Sequence, residues 1–69
     1  MAVVKVIEVL AQSDKSWEDA VKNALEEAKK TVKNIKSIYV KEMQAKVENG
    51  EIAEYRVNAK ISFVLEQER

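Results

Sequence analysis

Residues 48–65 read ENGEIAEYRVNAKISFVL, and this stretch decides the fold. Asn49-Gly50 is the strongest short signal for a tight turn between two antiparallel strands. After the turn, apolar and polar residues alternate almost perfectly, which is the period of a strand with one buried and one polar face. The apolar set is Tyr55, Val57, Ala59, Ile61, Phe63 and Leu65, and the polar set is Glu54, Arg56, Asn58, Lys60, Ser62 and Glu66. The sequence therefore predicts a β-hairpin whose second strand is half buried.

Before the turn, residues 37–47 supply the other strand of the hairpin, and an amphipathic helix precedes it. From Trp17 onward, apolar residues recur at the three- and four-residue spacing of a helix with one buried face. They are Trp17, Ala20, Val21, Ala24, Leu25, Ala28 and Val32. Ser16 is the predicted N-cap, and Ser13 is an alternative cap one turn earlier. Asn34 is the predicted left-handed residue at the C-terminal end of the helix.

A first strand is predicted at residues 3–11, VVKVIEVLA, because β-branched residues dominate it. The order is then strand, helix, strand, strand. The helix carries the chain back, so the first two strands run in the same direction, and the third strand, placed between them, is antiparallel to both. We predict an α+β fold of β-α-β-β order, a three-stranded antiparallel sheet with one helix packed on one face, as a single domain over residues 1–69.

The composition excludes several classes of function. Twelve Lys and Arg balance twelve Asp and Glu, so no net charge draws the chain to nucleic acid or to an anionic membrane. The absence of His and Cys removes the usual general base, the Cys nucleophile and the Cys/His zinc site. No apolar run is long enough for a membrane span or a signal peptide. We expect a cytoplasmic protein that is not an enzyme.

The length of the chain predicts self-association. A domain of 69 residues buries only about 60% of its unfolded surface, and one such core rarely supplies more than about 3–5 kcal/mol of net stability. A single helix also covers only one face of three long strands, which leaves the other face and both sheet edges to partners or solvent. Because disulfides and a Cys/His metal site are absent, contacts with further copies are the expected source of additional stability.

Two groups of residues remain as candidates for ligand binding. Trp17 opens the apolar stripe of the helix, and we interpret it as a packing residue rather than a ligand-stacking residue. Glu48, Glu51 and Glu54 cluster near the hairpin turn, where carboxylate oxygens could bind a cation such as calcium. No EF-hand-type loop is present, so a solvated turn is the interpretation that we favour. The sequence defines no set of metal ligands.

Several short motifs, taken together, resemble the dodecin family over nearly the whole chain, from about Val4 to Leu65. The matching residues are Lys5-Val6, Ser13 to Trp17, Ala24, Ala28, Thr31 to Ile35, Val40, Tyr55 to Val57, and Ser62-Phe63. The resemblance implies the β-α-β-β fold predicted above and a hollow shell of twelve copies. It also implies that flavins bind in pairs between indole rings of neighbouring copies, for storage rather than turnover.

Two positions depart from the pattern of this family. Ser37 stands where typical dodecins carry the flavin-stacking Trp, and Arg56 stands where they carry the Gln that hydrogen-bonds the ring edge. Trp17 does not replace the missing indole, since it aligns with a packing aromatic of the helix. Stacking of a flat ring on an aromatic side chain is worth about 1–3 kcal/mol per contact in nucleic-acid complexes. We therefore predict that flavin binding at Ser37 and Arg56 is weakened or lost.

Three hypotheses about function remain. The first is a homo-dodecamer that binds or stores a small molecule, with FMN or riboflavin held weakly. The second is a shell that binds calcium, because Ser16-Trp17, Ser37 and Tyr55-Arg56 also resemble the dodecin subgroup called calcium dodecin. The third is a structural assembly without a ligand. In each of them the partner is the chain itself, and neither nucleic acid nor membrane takes part.

Overall fold

Three strands and one helix make up the computed structural model, which describes residues 3–65. They are β1 (Val3–Ser13), α1 (Trp17–Lys29), β2 (Ile35–Glu48) and β3 (Glu51–Leu65). The sheet order is β1-β3-β2, and both strand pairs are antiparallel. The predicted fold class and topology are confirmed. Glu66, the last residue of the predicted polar face, and the polar tail at 67–69 lie outside the described residues.

The strands are longer than the sequence predicts. β1 ends at Ser13 rather than at residue 11, because Gln12 and Ser13 pair with Arg56 and Tyr55 on β3. β2 begins two residues early, at Ile35, and ends at Glu48 rather than at residue 47. Local composition marks Gln12, Ser13 and Glu48 as loop-like, but pairing with a long neighbouring strand overrides weak propensities.

The start of α1 is as predicted. Ser16 is the N-cap, since its Oγ accepts a hydrogen bond from the Asp19 backbone N–H at 2.9 Å. Ser13 is not a cap. Its hydroxyl donates to Asp19 Oδ2 at 2.7 Å and accepts from the Lys15 backbone N–H at 2.9 Å. Ser13 therefore fixes the turn between β1 and α1.

The helix ends earlier than the apolar stripe predicts. Lys29 is its last residue and Lys30 its C-cap, so Val32 lies beyond the helix. Asn34 does have the predicted positive φ, 64°. Its carbonyl accepts a hydrogen bond from the Val64 backbone N–H at 3.1 Å. Asn34 thus turns the chain into the sheet at the start of β2 instead of capping α1.

The core lies between α1 and the middle of β3. The helix turns a row of small residues toward the sheet, and the opposing side chains of β3 have no exposed surface. The buried residues of the two elements are Ala20, Ala24 and Ala28 on α1, and Val57, Ala59 and Ile61 on β3. Small side chains let the helix backbone approach the sheet closely. α1 lies mainly over β1 and β3 and makes few contacts with β2.

The β2–β3 hairpin extends well past the helix. α1 has 13 residues and is roughly 20 Å long, whereas the molecule measures 57 × 19 × 13 Å. At the far end, Asn49 and Gly50 have φ values of 54° and 78°. Two positive φ values are what the predicted hairpin turn requires. Within residues 3–65, no helix has the length and apolarity to cross a membrane.

Candidate functional site

The sheet face turned away from α1, here called the open face, carries Ser37 and Arg56, the two positions that match the flavin contacts of typical dodecins. Directly opposed residues of antiparallel strands share a face. By this register the open face consists of Val4, Val6, Glu8, Leu10 and Gln12 on β1, Arg56, Asn58, Lys60, Ser62 and Val64 on β3, and Ser37, Tyr39, Glu42 and Gln44 on β2. The opposite, covered face carries Val57, Ala59 and Ile61.

Ser37 lies near the start of β2, directly opposite Ser62, and the two hydroxyl groups are hydrogen-bonded to each other. Val6 of β1 flanks Ser62 on the other side. The small side chains of Val6, Ser62 and Ser37 therefore lie side by side on the three strands, and none of them offers an aromatic surface. Tyr39, two positions along β2, is 64% exposed. Its ring is the nearest aromatic group on this face.

Arg56 lies at the other end of the open face, within a chain of polar groups. Its Nε donates to Gln12 Oε1 at 3.0 Å, and Gln12 Nε2 donates to Glu54 Oε2 at 3.4 Å. Gln44 is opposite Arg56 on the β2 side. Only one of the five guanidinium N–H groups is used in the Gln12 contact, so Arg56 keeps donors for an anionic ligand or a further carboxylate.

Ser37 and Arg56 share a face, but they are far apart in one copy of the chain. Ser62, the partner of Ser37, is six residues from Arg56 on β3. At about 3.3 Å per residue, six residues span roughly 20 Å. One subunit therefore does not bring the two positions together, and a ligand that contacts both needs a second copy.

The middle of the open face contains polar groups that sequence reasoning did not select. Lys41 Nζ lies 3.4 Å from Glu8 Oε2, and both side chains are about half exposed. Asn58 lies between Leu10 and Glu42, and its Oδ1 is buried without a hydrogen-bond partner among the described residues. An Asn in the centre of a strand is unfavourable. This unfavourable Asn58 is the feature of the sequence that could have identified the position.

Trp17, the first residue of α1, packs against the covered face of the sheet. Its ring meets Tyr55 edge to face, with ring centroids 4.9 Å apart and planes at 79°. Its Nε1 donates to the Gln44 carbonyl at 2.9 Å. The side chain is half-buried, and both contacts join the start of α1 to the hairpin. This geometry supports the interpretation of Trp17 as a packing residue.

Two of the three acidic residues near the hairpin turn, Glu48 and Glu54, contact different partners. Glu48 and Glu51 are directly opposite each other, and Lys46 Nζ lies 3.5 Å from Glu48 Oε2. Glu54 is opposite Lys46 and accepts the hydrogen bond from Gln12. Among residues 3–65, the structure contains no group of three or more acidic side chains placed to hold a metal ion.

Fold and open face together define a small α+β protein in which a single helix covers one side of a three-stranded sheet. The sequence profile of the Dodecin family matches residues 3–66. The chain therefore belongs to the dodecin family, as its motifs predict.

Comparisons with two known proteins, the calcium dodecin of Mycobacterium tuberculosis and the dodecin of Thermus thermophilus, place the chain within this family. It is 33% identical over 63 residues to the calcium dodecin of Mycobacterium tuberculosis, covering 91% of this chain and 89% of that protein. A mutant of the Thermus thermophilus dodecin superimposes with a TM-score of 0.92 at 29% identity, covering 99% and 100% of the two chains. The crystal structure of the calcium-chelating M. tuberculosis calcium dodecin, described as having a novel calcium-binding site, gives a TM-score of 0.81 at 32% identity, with 97% and 96% covered.

Proposed function

We propose that this chain assembles with copies of itself into a closed dodecin-type shell of twelve subunits that binds or stores a small molecule. The proposed assembly rests on one observation. The open face leaves aliphatic side chains of β1 in water: Val4 is 60%, Val6 55% and Leu10 64% exposed. Burying such a side chain contributes about 1.5–3 kcal/mol. A chain of 69 residues has little other stability to draw on.

The ligand site of this proposal lies where the open faces of neighbouring copies meet. Ser37 and Arg56 are roughly 20 Å apart within one copy, so only an assembly combines them. The Ser37 hydroxyl is already bonded to Ser62, and Arg56 is held by Gln12. Ser37 offers no stacking surface for a flavin ring, and Arg56 cannot accept a hydrogen bond from the ring imide. Flavin is therefore a weak ligand, and an anionic group near Arg56 is a better match.

A flavin titration tests this part of the proposal. We expect colourless purified protein and weak quenching of riboflavin or FMN fluorescence by the unmodified chain. Ser37→Trp combined with Arg56→Gln is expected to tighten flavin binding at least tenfold, because it restores a stacking surface and an edge acceptor. Lys60→Gln is the matched control, since it removes one positive charge elsewhere on the open face. Tight quenching by the unmodified chain would show that another surface binds the ring.

Calcium binding is the second candidate, and the similarity to calcium dodecin favours it. Glu48 and Glu51 oppose each other across the hairpin, and carboxylates of more than one copy would be needed to surround the ion with six to eight oxygens. Thermal unfolding with calcium and with a chelator tests this candidate. A melting temperature that rises with calcium, and no longer rises in Glu48→Gln with Glu51→Gln, would support it. Equal melting temperatures in calcium and chelator would refute it.

A third alternative is a shell without a ligand, which shares the assembly but not the binding function. In each case we propose a non-catalytic protein of the cytoplasm. The sequence contains neither His nor Cys, and the polar residues of the open face are arranged as ion pairs and amide contacts rather than as a nucleophile next to a base.

A further inference from the structure

A mainly apolar cleft lies at one end of the molecule, between the end of α1 and the start of β2. Its volume is about 510 Å³. Its apolar lining is half-buried, and two exposed lysines join it. The lining residues used here are Leu25, Val32, Ile35 and Ile38, with Lys29 and Lys36. One chain leaves this cleft open, and an apolar group flanked by negative charge would match it.

The tip of the β2–β3 hairpin, residues 47–52, has that complementary pattern. Val47 is 62% exposed and Ile52 is 50% exposed, and the two residues pair across the hairpin. Glu48 and Glu51 form the next pair, immediately before the turn. Like charges directly opposite each other destabilise a strand pair. The tip therefore presents two aliphatic side chains on one face of the hairpin and, one residue nearer the turn, two carboxylates on the other face. The two carboxylates lack an opposite charge across the hairpin.

The tip cannot enter the cleft of its own chain. β2 starts at Ile35 in the cleft and ends at Glu48 at the tip. Thirteen steps of about 3.3 Å place these two points roughly 40 Å apart. A second copy is thus the occupant that brings tip and cleft together. Such a contact joins two different surfaces, and contacts of this kind close into a ring or shell when the rotation between copies allows it.

We propose that the hairpin tip of one copy inserts Val47 and Ile52 into the cleft of a neighbouring copy, where Glu48 and Glu51 pair with Lys29 and Lys36. This inference rests on the proposed assembly and names the surfaces that form it. The existing local pairs, Lys29 with Glu26 at 3.4 Å and Lys46 with Glu48 at 3.5 Å, are solvent-exposed. Exposed pairs of this kind contribute little, so exchanging them for contacts at a buried boundary is feasible.

Charge reversal with complementary mixing tests the proposal. The acid-reversed variant carries Glu48→Lys and Glu51→Lys, and the lysine-reversed variant carries Lys29→Glu and Lys36→Glu. All four side chains are exposed, and circular dichroism establishes that each variant folds. Native mass spectrometry is expected to show at least a tenfold loss of assembled protein for each variant alone. An equimolar mixture of the two is expected to restore assembly, with both masses in one complex.

Lys15→Glu with Lys22→Glu is the matched control, because it makes the same charge change at exposed positions outside tip and cleft. It should assemble like the unmodified chain. If the unmodified chain assembles and both reversed variants assemble equally well, the tip-in-cleft contact is wrong while the proposed shell stands. If the mixture fails to restore assembly, the pairing is wrong. A monomeric unmodified chain would overturn the proposed shell and this inference together.

Discussion

The two faces of β3 alternate along the same strand, yet they reach very different states in one copy of the chain. On the covered face, Val57, Ala59 and Ile61 have no exposed surface. On the open face, Lys60 is exposed, the Asn58 Oδ1 is buried with no hydrogen-bond partner within residues 3–65, and Leu10 of the neighbouring strand is 64% exposed. The middle of the covered face is completed within the chain. We propose that further copies complete the open face.

The largest effect is expected from removing packing on the covered face. Ile61→Ala should lower the free energy of unfolding by about 2–5 kcal/mol, because Ile61 is fully buried and the cavity cannot close completely. Urea denaturation at a fixed protein concentration measures this loss, since assembly makes stability depend on concentration. Lys60→Ala, its neighbour on the open face, is the control and should change stability by about 0.5 kcal/mol or less. Equal losses would show that both faces are equally packed.

Substitutions of Trp17 measure how much its contacts with the hairpin contribute to the free energy of unfolding. Trp17→Ala should cost about 3 kcal/mol, the lower end of the range for large aromatic truncations, because the ring is half-buried. Trp17→Phe keeps an aromatic ring against Tyr55 but loses the hydrogen bond to the Gln44 carbonyl, which should cost about 0.5–1.5 kcal/mol. Both losses are measured by denaturant unfolding. A Trp17→Ala variant that is fully stable but has lost ligand binding would contradict the packing role.

Substitution of Leu10 tests whether the exposed aliphatic side chains of the open face are buried between copies. Leu10→Asn should weaken association by about 1.5–3 kcal/mol per subunit, since it removes the burial of one leucine side chain between copies. The measurement is the concentration at which the assembly dissociates, followed by analytical ultracentrifugation. Stability of the separated chain should change little, because Leu10 is 64% exposed there. Unchanged association would place the contact between copies elsewhere.

The smallest effect is expected at the helix cap. Ser16→Ala removes the bond to the Asp19 backbone N–H and should lower stability by about 1 kcal/mol. Association should remain unchanged, because the cap belongs to the covered side alone. Ser16→Asp should retain most of the stability, since a carboxylate also caps this position. Thermal unfolding of the three proteins checks the order.

The fold was predictable because local signals agree with one another. The Asn49-Gly50 turn and the alternation of β3 fix the hairpin, and the apolar stripe from Trp17 fixes the helix and its buried side. The exact ends of the strands were not predictable from such local signals. Gln12 and Ser13 join β1 only through their partners on β3, and a pairing of that range is invisible in local composition.

The site was predictable only in part. The sequence places Ser37 and Arg56 on strands, but their separation of roughly 20 Å follows from the register of β2 and β3. The orphan acceptor of Asn58 depends on which side chains surround it. Likewise, the proposed match between the hairpin tip and the cleft would join residues 47–52 to residues 25–38 of another copy. No periodicity along one chain reports such a match.

The central claim, that the open face and the hairpin tip are completed by further copies, is tested most directly by the mass of the purified protein in solution. Light scattering coupled to size-exclusion chromatography at micromolar concentration measures it. We predict a single species of twelve times the chain mass of 7.9 kDa. A monodisperse species of 7.9 kDa, with its exposed aliphatic side chains in water, would contradict the account.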